Sequence, residues 1–227
     1  MSDFFADNKL MGLSNLVDGD TEFIPLISPE EEDRMNLEEV PEKLPILPLR
    51  NNVLFPGVVI PITLGRDKSI KLIQDAYKGN KIIGVVSQKD SSIEEPTYKD
   101  LYEIGSVAQI VKMLKMPDGS STIIIQGKKR LKLEEEISNE PYLIAKIKEF
   151  DEKRLKNISK ESVALFDSLK DMALNIIKNS PNIPSEASFA VKNIESPNFL
   201  VNFISSHMNA ELNVLRYLLF LKYIFLG

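Results

Sequence analysis

Few residues in this 227-residue chain are able to do chemistry, and their types restrict the chemistry sharply. Cysteine is absent and His207 is the only histidine, so nucleophiles that depend on a histidine base are nearly excluded. A metal site would have to be built from carboxylates alone. His207 follows Phe203 and Ile204 on a predicted helix, which favours a packed or capping role over catalysis. We therefore assign no catalytic residue, no metal ligand and no cofactor.

Two glycine-containing segments need a structural explanation. Residues 127–129 read Gly-Lys-Lys but lack the upstream glycine of a phosphate-binding GxxxxGK[ST] loop, so we predict a turn between strands there. Residues 117–120 read Pro-Asp-Gly-Ser between two alternating segments, a pattern typical of a hairpin turn.

Basic residues cluster in the middle of the chain, and two interpretations compete for them. A nucleic-acid surface would combine such a cluster with interleaved aromatic residues, which are missing here. We therefore favour solvated strand faces and keep a nucleic-acid-binding module as the alternative. The residues are Lys112, Lys115, Lys128, Lys129, Arg130 and Lys132.

Composition places the chain among soluble globular proteins. Hydrophobic residues make up 43% and charged residues 27%, and the net charge is −5 with a pI near 5.2. The start, Met1-Ser2-Asp3, lacks the basic region of a secretory signal, so a cytoplasmic location is expected.

The elements that would position any site divide the chain into three predicted parts. Residues 1–43 carry a dense acidic cluster and are predicted to form a flexible leader. Residues 44–151 contain about six alternating or buried apolar segments and one helical segment near Ile70 to Tyr77, which predicts a β-rich lobe. The first two of these apolar segments contain prolines and together form a proline-rich ribbon. We place this ribbon at the rim of a small barrel or sandwich, because prolines in strands favour edges. Residues 152–227 are predicted to form an all-helical subdomain, with Ser196 capping a helix that starts at Pro197.

The last segment, from Leu212 to Leu226, is apolar nearly all round. It is too short for an ordinary membrane span and is interrupted by Arg216 and Lys222. We rank packing against the helical subdomain first, self-association second and membrane contact last.

A series of segments, taken together and in order, resembles the N-terminal substrate-binding domain of the Lon ATP-dependent protease family. The resemblance covers roughly residues 44–212. The segments are Pro48 to Gly57 (Pro-Leu-Arg-Asn-Asn-Val-Leu-Phe-Pro-Gly), the Ile60-Pro61-Ile62 strand with Gly65-Arg66, Ser69 to Ile73, Ile82 to Lys89, Leu101 to Ala108, Gly127 to Leu131 and Asn202 to Asn209.

The resemblance implies an α+β fold: a PUA-like, β-rich pseudo-barrel lobe of about six strands plus one helix, followed by an all-helical subdomain. It also implies a function in binding unfolded or degron-bearing protein substrates and in supporting a hexamer of Lon subunits. The ATPase and the serine–lysine peptidase of the family lie in other domains, so this chain is not expected to be an enzyme by itself. No membrane is expected among its partners, and nucleic acid is disfavoured.

Four residues are candidates for contacting substrate through exposed apolar surface. Phe55 and Pro56 lie at the bend of the proline-rich ribbon, and Met113 and Met116 precede the hairpin turn. The alternative for all four is that they close the core of the β-lobe. At the level of the whole protein, a stand-alone Lon-domain adaptor is the alternative to a protease subunit, and an in-frame continuation with a phosphate-binding loop would distinguish the two.

Overall fold

The computed structural model describes residues 26–115, 121–150, 160–179 and 186–226, and the chain falls into two compact units. The first unit is Met1–Pro29 with Leu155–Leu200, and the second is Glu30–Arg154 with Val201–Gly227. Residues 201–227 thus group with the strands, whereas the sequence-based division assigned them to the helical subdomain.

The second unit is built on six strands arranged in the order β2-β5-β4-β3-β1-β6, with an additional pairing between β5 and β6. That pairing closes five of the strands into a ring and leaves β2 as an outer strand attached to β5. The predicted α+β fold with a six-stranded β-rich lobe is confirmed. The strands are β1 (Lys43–Leu49), β2 (Val59–Leu64), β3 (Ile82–Ser87), β4 (Ile104–Lys115), β5 (Ser121–Ser138) and β6 (Ile144–Glu149).

The two prolines of β1 fit the sheet because each half of the strand has a single partner. Residues 43–45 pair antiparallel with β6, and residues 46–49 pair parallel with β3. Each half therefore has one open side where a missing backbone donor costs no ladder hydrogen bond. Pro61 lies in β2, which is the edge strand that its sequence predicts.

The described residues also form six α-helices and one 3-10 helix at Tyr98–Asp100. The prediction of a flexible leader does not hold for its last part, because α1 starts at residue 29. Three glutamates in its first turn complement the helix dipole, and Met35 is buried. Residues 1–25 lie outside the described residues. The helices are α1 (Pro29–Leu37), α2 (Asp67–Lys78), α3 (Lys160–Asn179), α4 (Glu186–Asn193), α5 (Pro197–His207) and α6 (Leu212–Leu226).

Two helix ends show how the chain caps its helices. The Ser196 hydroxyl accepts a hydrogen bond from the Phe199 backbone at 3.1 Å, which confirms the predicted cap of α5. Gly79 after α2 has φ −96°, which lies outside the left-handed region. Lys81 takes the left-handed conformation instead, with φ 61°, and its amide donates to the Ala76 carbonyl at 3.0 Å.

The core of the second unit consists of two apolar clusters. Leu72 and Ile73 of α2 pack with Leu47, Ile83 and residues of β4 and β5 in one cluster. In the other, strand residues such as Leu44 and Leu131 pack together. Strand β1 contributes to both clusters, with Leu44 and Ile46 in one and Leu47 and Leu49 in the other, so both of its faces are buried.

The apolar segment α6 packs on the strands of the second unit, whereas the sequence analysis ranked packing against the helical subdomain first. Leu215 and Leu219 are buried, the Arg216 guanidinium lies over the Tyr102 ring, and Arg130 of β5 donates to the Leu219 carbonyl. Among the described residues, no helix combines the length and apolarity needed to cross a membrane.

Candidate functional site

The four predicted contact residues lie in three different environments. Phe55 is 1% exposed and Pro56 is buried, as the alternative of a closed core predicts. Met113 is partly buried and packs against the first core cluster. Met116 lies outside the described residues. The idea that the bend presents Phe55 and Pro56 on the surface is therefore wrong for this conformation.

Backbone contacts hold the bend at residues 55–57 against strand β5, and these contacts require the glycines Gly57 and Gly127. Gly57 has φ 82°, a conformation that favours glycine, and its amide donates to the Gly127 carbonyl at 2.9 Å. A Cβ on Gly127 would overlap the Phe55 carbonyl oxygen, so only glycine permits this approach. The predicted turn at residues 127–129 is thus wrong, because Gly127 lies inside the continuous strand β5.

The basic run after Gly127 is buried, which contradicts both interpretations of these three residues. Lys128 and Lys129 are each 6% exposed and Arg130 is 2% exposed. A register shift between Ser106 and Ala108 re-aims this part of β5. The Lys128 ammonium pairs with Glu38 at 3.2 Å, and Lys129 reaches both the Glu38 carbonyl at 2.6 Å and Glu149 at 2.9 Å.

Arg130 ties two helices to the sheet. Its guanidinium donates to the Asn202 side-chain oxygen at 2.9 Å and to the Leu219 carbonyl at 2.8 Å. The Asn202 amide group in turn donates to the Pro56 carbonyl at 2.9 Å. These two acceptors are neutral groups inside the fold, and the network joins the bend, the sheet and the two helices.

His207 has the packed role that its position predicts. The ring lies 4.3 Å from the Phe203 ring between centroids, and its Nδ1 is 2.8 Å from the Phe203 carbonyl. Among the described residues there is also no group of three or more potential ligands that could hold a metal ion.

Apolar side chains are exposed along one face of α3 in the first unit. Leu165, Met172 and Ile176 are 71%, 57% and 61% exposed, and their spacing of seven and four residues places them on one side of the helix. We call these three residues the α3 stripe. Ala173 of α3 is buried. Val163 of α3 is 47% exposed, and Phe189 of α4 is 69% exposed.

A cleft of about 360 Å³ opens in the second unit between the end of β1, strand β2 and the start of α2. Its walls combine polar and apolar surface in similar amounts. The lining includes Leu47 to Arg50, Asn52, Pro61 to Arg66, Ser69 and Glu94. This volume is at the small end of the range for ligand pockets.

Two guanidinium groups determine the electrostatics of the cleft. Arg50 pairs with Glu94 at 2.7 Å. Arg66 donates to the Gln88 side-chain oxygen at 2.5 Å and to the Pro48 carbonyl at 3.5 Å, and it forms no ion pair with any described residue. Burial lowers the pKa of Arg66, and the positive charge of Arg50 lowers it further, while the negative charges of Glu95 and Glu94 partly oppose that shift.

The start of α2 adds backbone donors to the same cleft. Arg66 occupies the N-cap position without a side-chain capping bond, so the first amides of the helix have no side-chain acceptor. Ser69 is 7% exposed and lines the cleft. The cleft therefore contains positive charge and neutral donors, and the Glu94 carboxylate is also part of its lining.

Sequence reasoning missed this cleft because its residues come from separate segments. Arg50 and Arg66 are brought together by the turn of the chain from β1 through β2 into α2. The available signal was the Gly-Arg pair at residues 65–66 directly before a predicted helix start.

Comparison with known proteins identifies relatives over most of the chain. A sequence model described as the ATP-dependent protease La (LON) substrate-binding domain matches residues 43–219. The Lon protease of Flavobacterium johnsoniae is 57% identical over 208 residues, and that of Cytophaga hutchinsonii is 51% identical over 191 residues. The alignments cover 90% and 84% of this chain but 26% and 24% of the relatives, so the chain spans about a quarter of their length.

A solved structure shares the fold. The N-terminal domain of the Mycobacterium avium complex Lon protease superposes with a TM-score of 0.61 at 18% identity. The match covers 79% of this chain and 95% of that domain.

Proposed function

The chain belongs to the family of Lon substrate-binding domains, and on that premise we propose that it is the substrate-recognition region of a Lon-type ATP-dependent protease. It engages unfolded or degron-bearing proteins in the cytoplasm and supports the association of Lon subunits into a hexamer. Peptide-bond cleavage and ATP hydrolysis belong to other domains of the parent protein. The observation that carries this proposal is the family match over residues 43–219.

Exposed apolar surface supports recognition of unfolded chains. Unfolded proteins display apolar segments that a folded protein buries, and a contiguous apolar face on a stable scaffold can bind them. The α3 stripe is such a face, with each of its three side chains more than half exposed. Its apolar character also predicts binding that tolerates salt.

The basic residues weigh against nucleic acid as the principal ligand. Lys128, Lys129 and Arg130 are buried and already engaged by protein acceptors, so phosphate groups would have to displace those contacts. The net charge of −5 further opposes a polyanion.

A paired titration at 50 mM and 300 mM salt tests the proposal. One labelled probe is a permanently unfolded, apolar-rich polypeptide, and the other is a single-stranded RNA. We expect the polypeptide to bind with an affinity that changes little with salt. Binding of the RNA alone, with an affinity that collapses at the higher salt, would overturn the proposal, because phosphate contacts are strongly salt-dependent.

A further inference from the structure

We propose that the cleft between β1, β2 and the start of α2 binds a carboxylate of an extended polypeptide, held by Arg66, Ser69 and the first amides of α2. This inference rests on the proposed function and names a ligand class and a site for it. The carboxylate is either the carboxyl terminus of the polypeptide or an aspartate or glutamate side chain. The two sources share the same chemistry and are separated by the experiment below.

Arg66 supplies the charge that a carboxylate needs. Its partners Gln88 and Pro48 are both neutral, so their hydrogen bonds orient the guanidinium group without neutralising its charge. A guanidinium presents paired donors in the plane of a carboxylate, which makes Arg the preferred partner for this group. Burial and the nearby Arg50 both disfavour the charge of Arg66, Glu95 and Glu94 offset this only in part, and an incoming anion would stabilise the charge further.

Ser69 and the helix start supply neutral donors around the same point. Ser69 is 7% exposed and lines the cleft. Its hydroxyl is a neutral donor that can add one hydrogen bond to a ligand oxygen. The twelve-residue helix α2 directs its positive dipole end and uncapped amides toward the same anion.

The remaining walls select a polypeptide over a free anion. Pro48, Pro61 and Ile62 line the cleft and keep exposed apolar surface, so a ligand with apolar atoms next to its carboxylate can remove that surface from water. Strand β2 forms this wall and pairs only with β5 among the described strands. An extended chain therefore fits along the cleft better than a compact ligand does.

The Glu94 carboxylate competes with the ligand carboxylate for the positive charge of the cleft. Its carboxylate lines the cleft and pairs with Arg50, yet the side chain is 79% exposed, so it is free to move aside. Removing its charge leaves Arg50 without its partner and increases the positive potential that a ligand meets. Glu94→Gln is therefore expected to bind the same ligand several-fold more tightly.

The test uses the full chain and three labelled, unstructured ten-residue peptides that end in two leucines. The first has a free carboxyl terminus, the second a terminal amide, and the third a terminal amide with one internal aspartate. We expect the free acid, the internal-aspartate peptide, or both to bind about tenfold or more tightly than the plain amide. Preference for the first identifies a carboxyl terminus, and preference for the third identifies an acidic side chain.

Variants assign the preference to the cleft. Arg66→Gln should abolish it, and Ser69→Ala should reduce it by about two- to tenfold. Lys68→Gln makes the same charge change at an exposed neighbour that pairs with Glu140 outside the cleft, and it should retain the preference. Thermal melts of all variants report whether the fold is intact.

Two results would overturn the inference. Equal binding of all three peptides would show that the carboxylate is not recognised. If Arg66→Gln and Lys68→Gln lose the preference for the carboxylate to the same extent, the preference comes from the overall electrostatic field of the protein and not from the cleft. Both can occur while the unfolded polypeptide still binds, which leaves the proposed function standing. Failure of the unfolded polypeptide itself to bind contradicts the proposed function instead.

Discussion

Phe55 illustrates at the residue scale how a surface candidate becomes part of the core. The ring is 1% exposed, its carbonyl faces Gly127, and the next carbonyl, that of Pro56, accepts a hydrogen bond from Asn202. Both the side chain and the backbone of the bend are therefore fixed, and the bend contacts β5 on one side and α5 on the other.

We predict that Phe55→Ala lowers the free energy of unfolding by about 3–5 kcal/mol, as removal of a buried ring from a packed core does. Urea unfolding followed by circular dichroism measures the change. Leu37→Ala is the matched control, because Leu37 is 82% exposed in the same unit and should change stability by less than about 0.5 kcal/mol. Similar small losses in the two variants would mean that the bend is undocked in solution.

Arg130 and its neighbours show what single residues could not disclose. Their types predicted solvent exposure, since lysine and arginine are almost never fully buried unless paired. The partners that make burial possible are Glu38, Glu149 and Asn202, which are distant in sequence. The sequence around residues 128–130 carries no pattern that predicts these pairings. By contrast, the role of His207 was predictable, because Phe203 precedes it by one helical turn.

At the element scale, strand β5 organises the second unit. Its 18 residues pair with β2, β4 and β6, and the pairing with β6 closes the ring. The hairpin of β4 and β5 was predictable from alternation and a strong turn signal, and the register joins Lys115 to Ser121. The continuity of β5 through Gly127 was not, because the glycine serves a close approach from a remote segment and not a turn.

The tail was mispredicted for a related reason. Its apolar sequence predicted burial correctly, and Leu215 and Leu219 are buried. The choice of partner depends on the Arg130 guanidinium and on Tyr102, which receives the Arg216 guanidinium on its ring. Both contacts join segments that are about ninety or more residues apart, so periodicity within α6 carries no information about them.

The 3-10 helix at Tyr98–Asp100 provides a test at the same scale. The Asp100 carboxylate accepts hydrogen bonds from the Thr97 backbone at 2.8 Å and from the Thr97 hydroxyl at 2.7 Å. These bonds hold the pKa of Asp100 below its ordinary value, with the backbone bond as the larger cause.

Because the pKa of Asp100 is lowered on folding, its stabilising contribution is present above the ordinary Asp value and is lost as the pH falls through the lowered value. We predict that Thr97→Ala raises the pKa of Asp100 toward the ordinary value but leaves it lowered, since the backbone bond persists. Carbon-detected NMR titration of the Asp100 carboxyl measures this. An unchanged pKa would show that the Thr97 hydroxyl does not contribute.

At the scale of the whole molecule, the two units have different surfaces. Most of the large apolar side chains of the described strands in the second unit are buried in two clusters. The first unit exposes the α3 stripe together with Val163 and Phe189. Lys170 lies over the Phe166 ring and donates to the Lys192 carbonyl, so α3 and α4 are held together within that unit while their apolar residues stay accessible.

The measurement that tests recognition of unfolded chains most directly compares two triple variants of the full chain. One replaces Leu165, Met172 and Ile176 by Gln, which removes the α3 stripe while keeping good helix propensity. The other replaces Leu37, Ile137 and Tyr217 by Gln, which are 82%, 44% and 58% exposed in the second unit. The readout is the Kd for the permanently unfolded polypeptide at 300 mM salt.

We predict that the stripe variant binds about tenfold or more weakly than the original chain, because burying each apolar side chain is worth about 1.5–3 kcal/mol. The control variant should bind within about twofold of the original. If the stripe variant retains full affinity, or if both variants lose the same amount, recognition through the α3 stripe is contradicted.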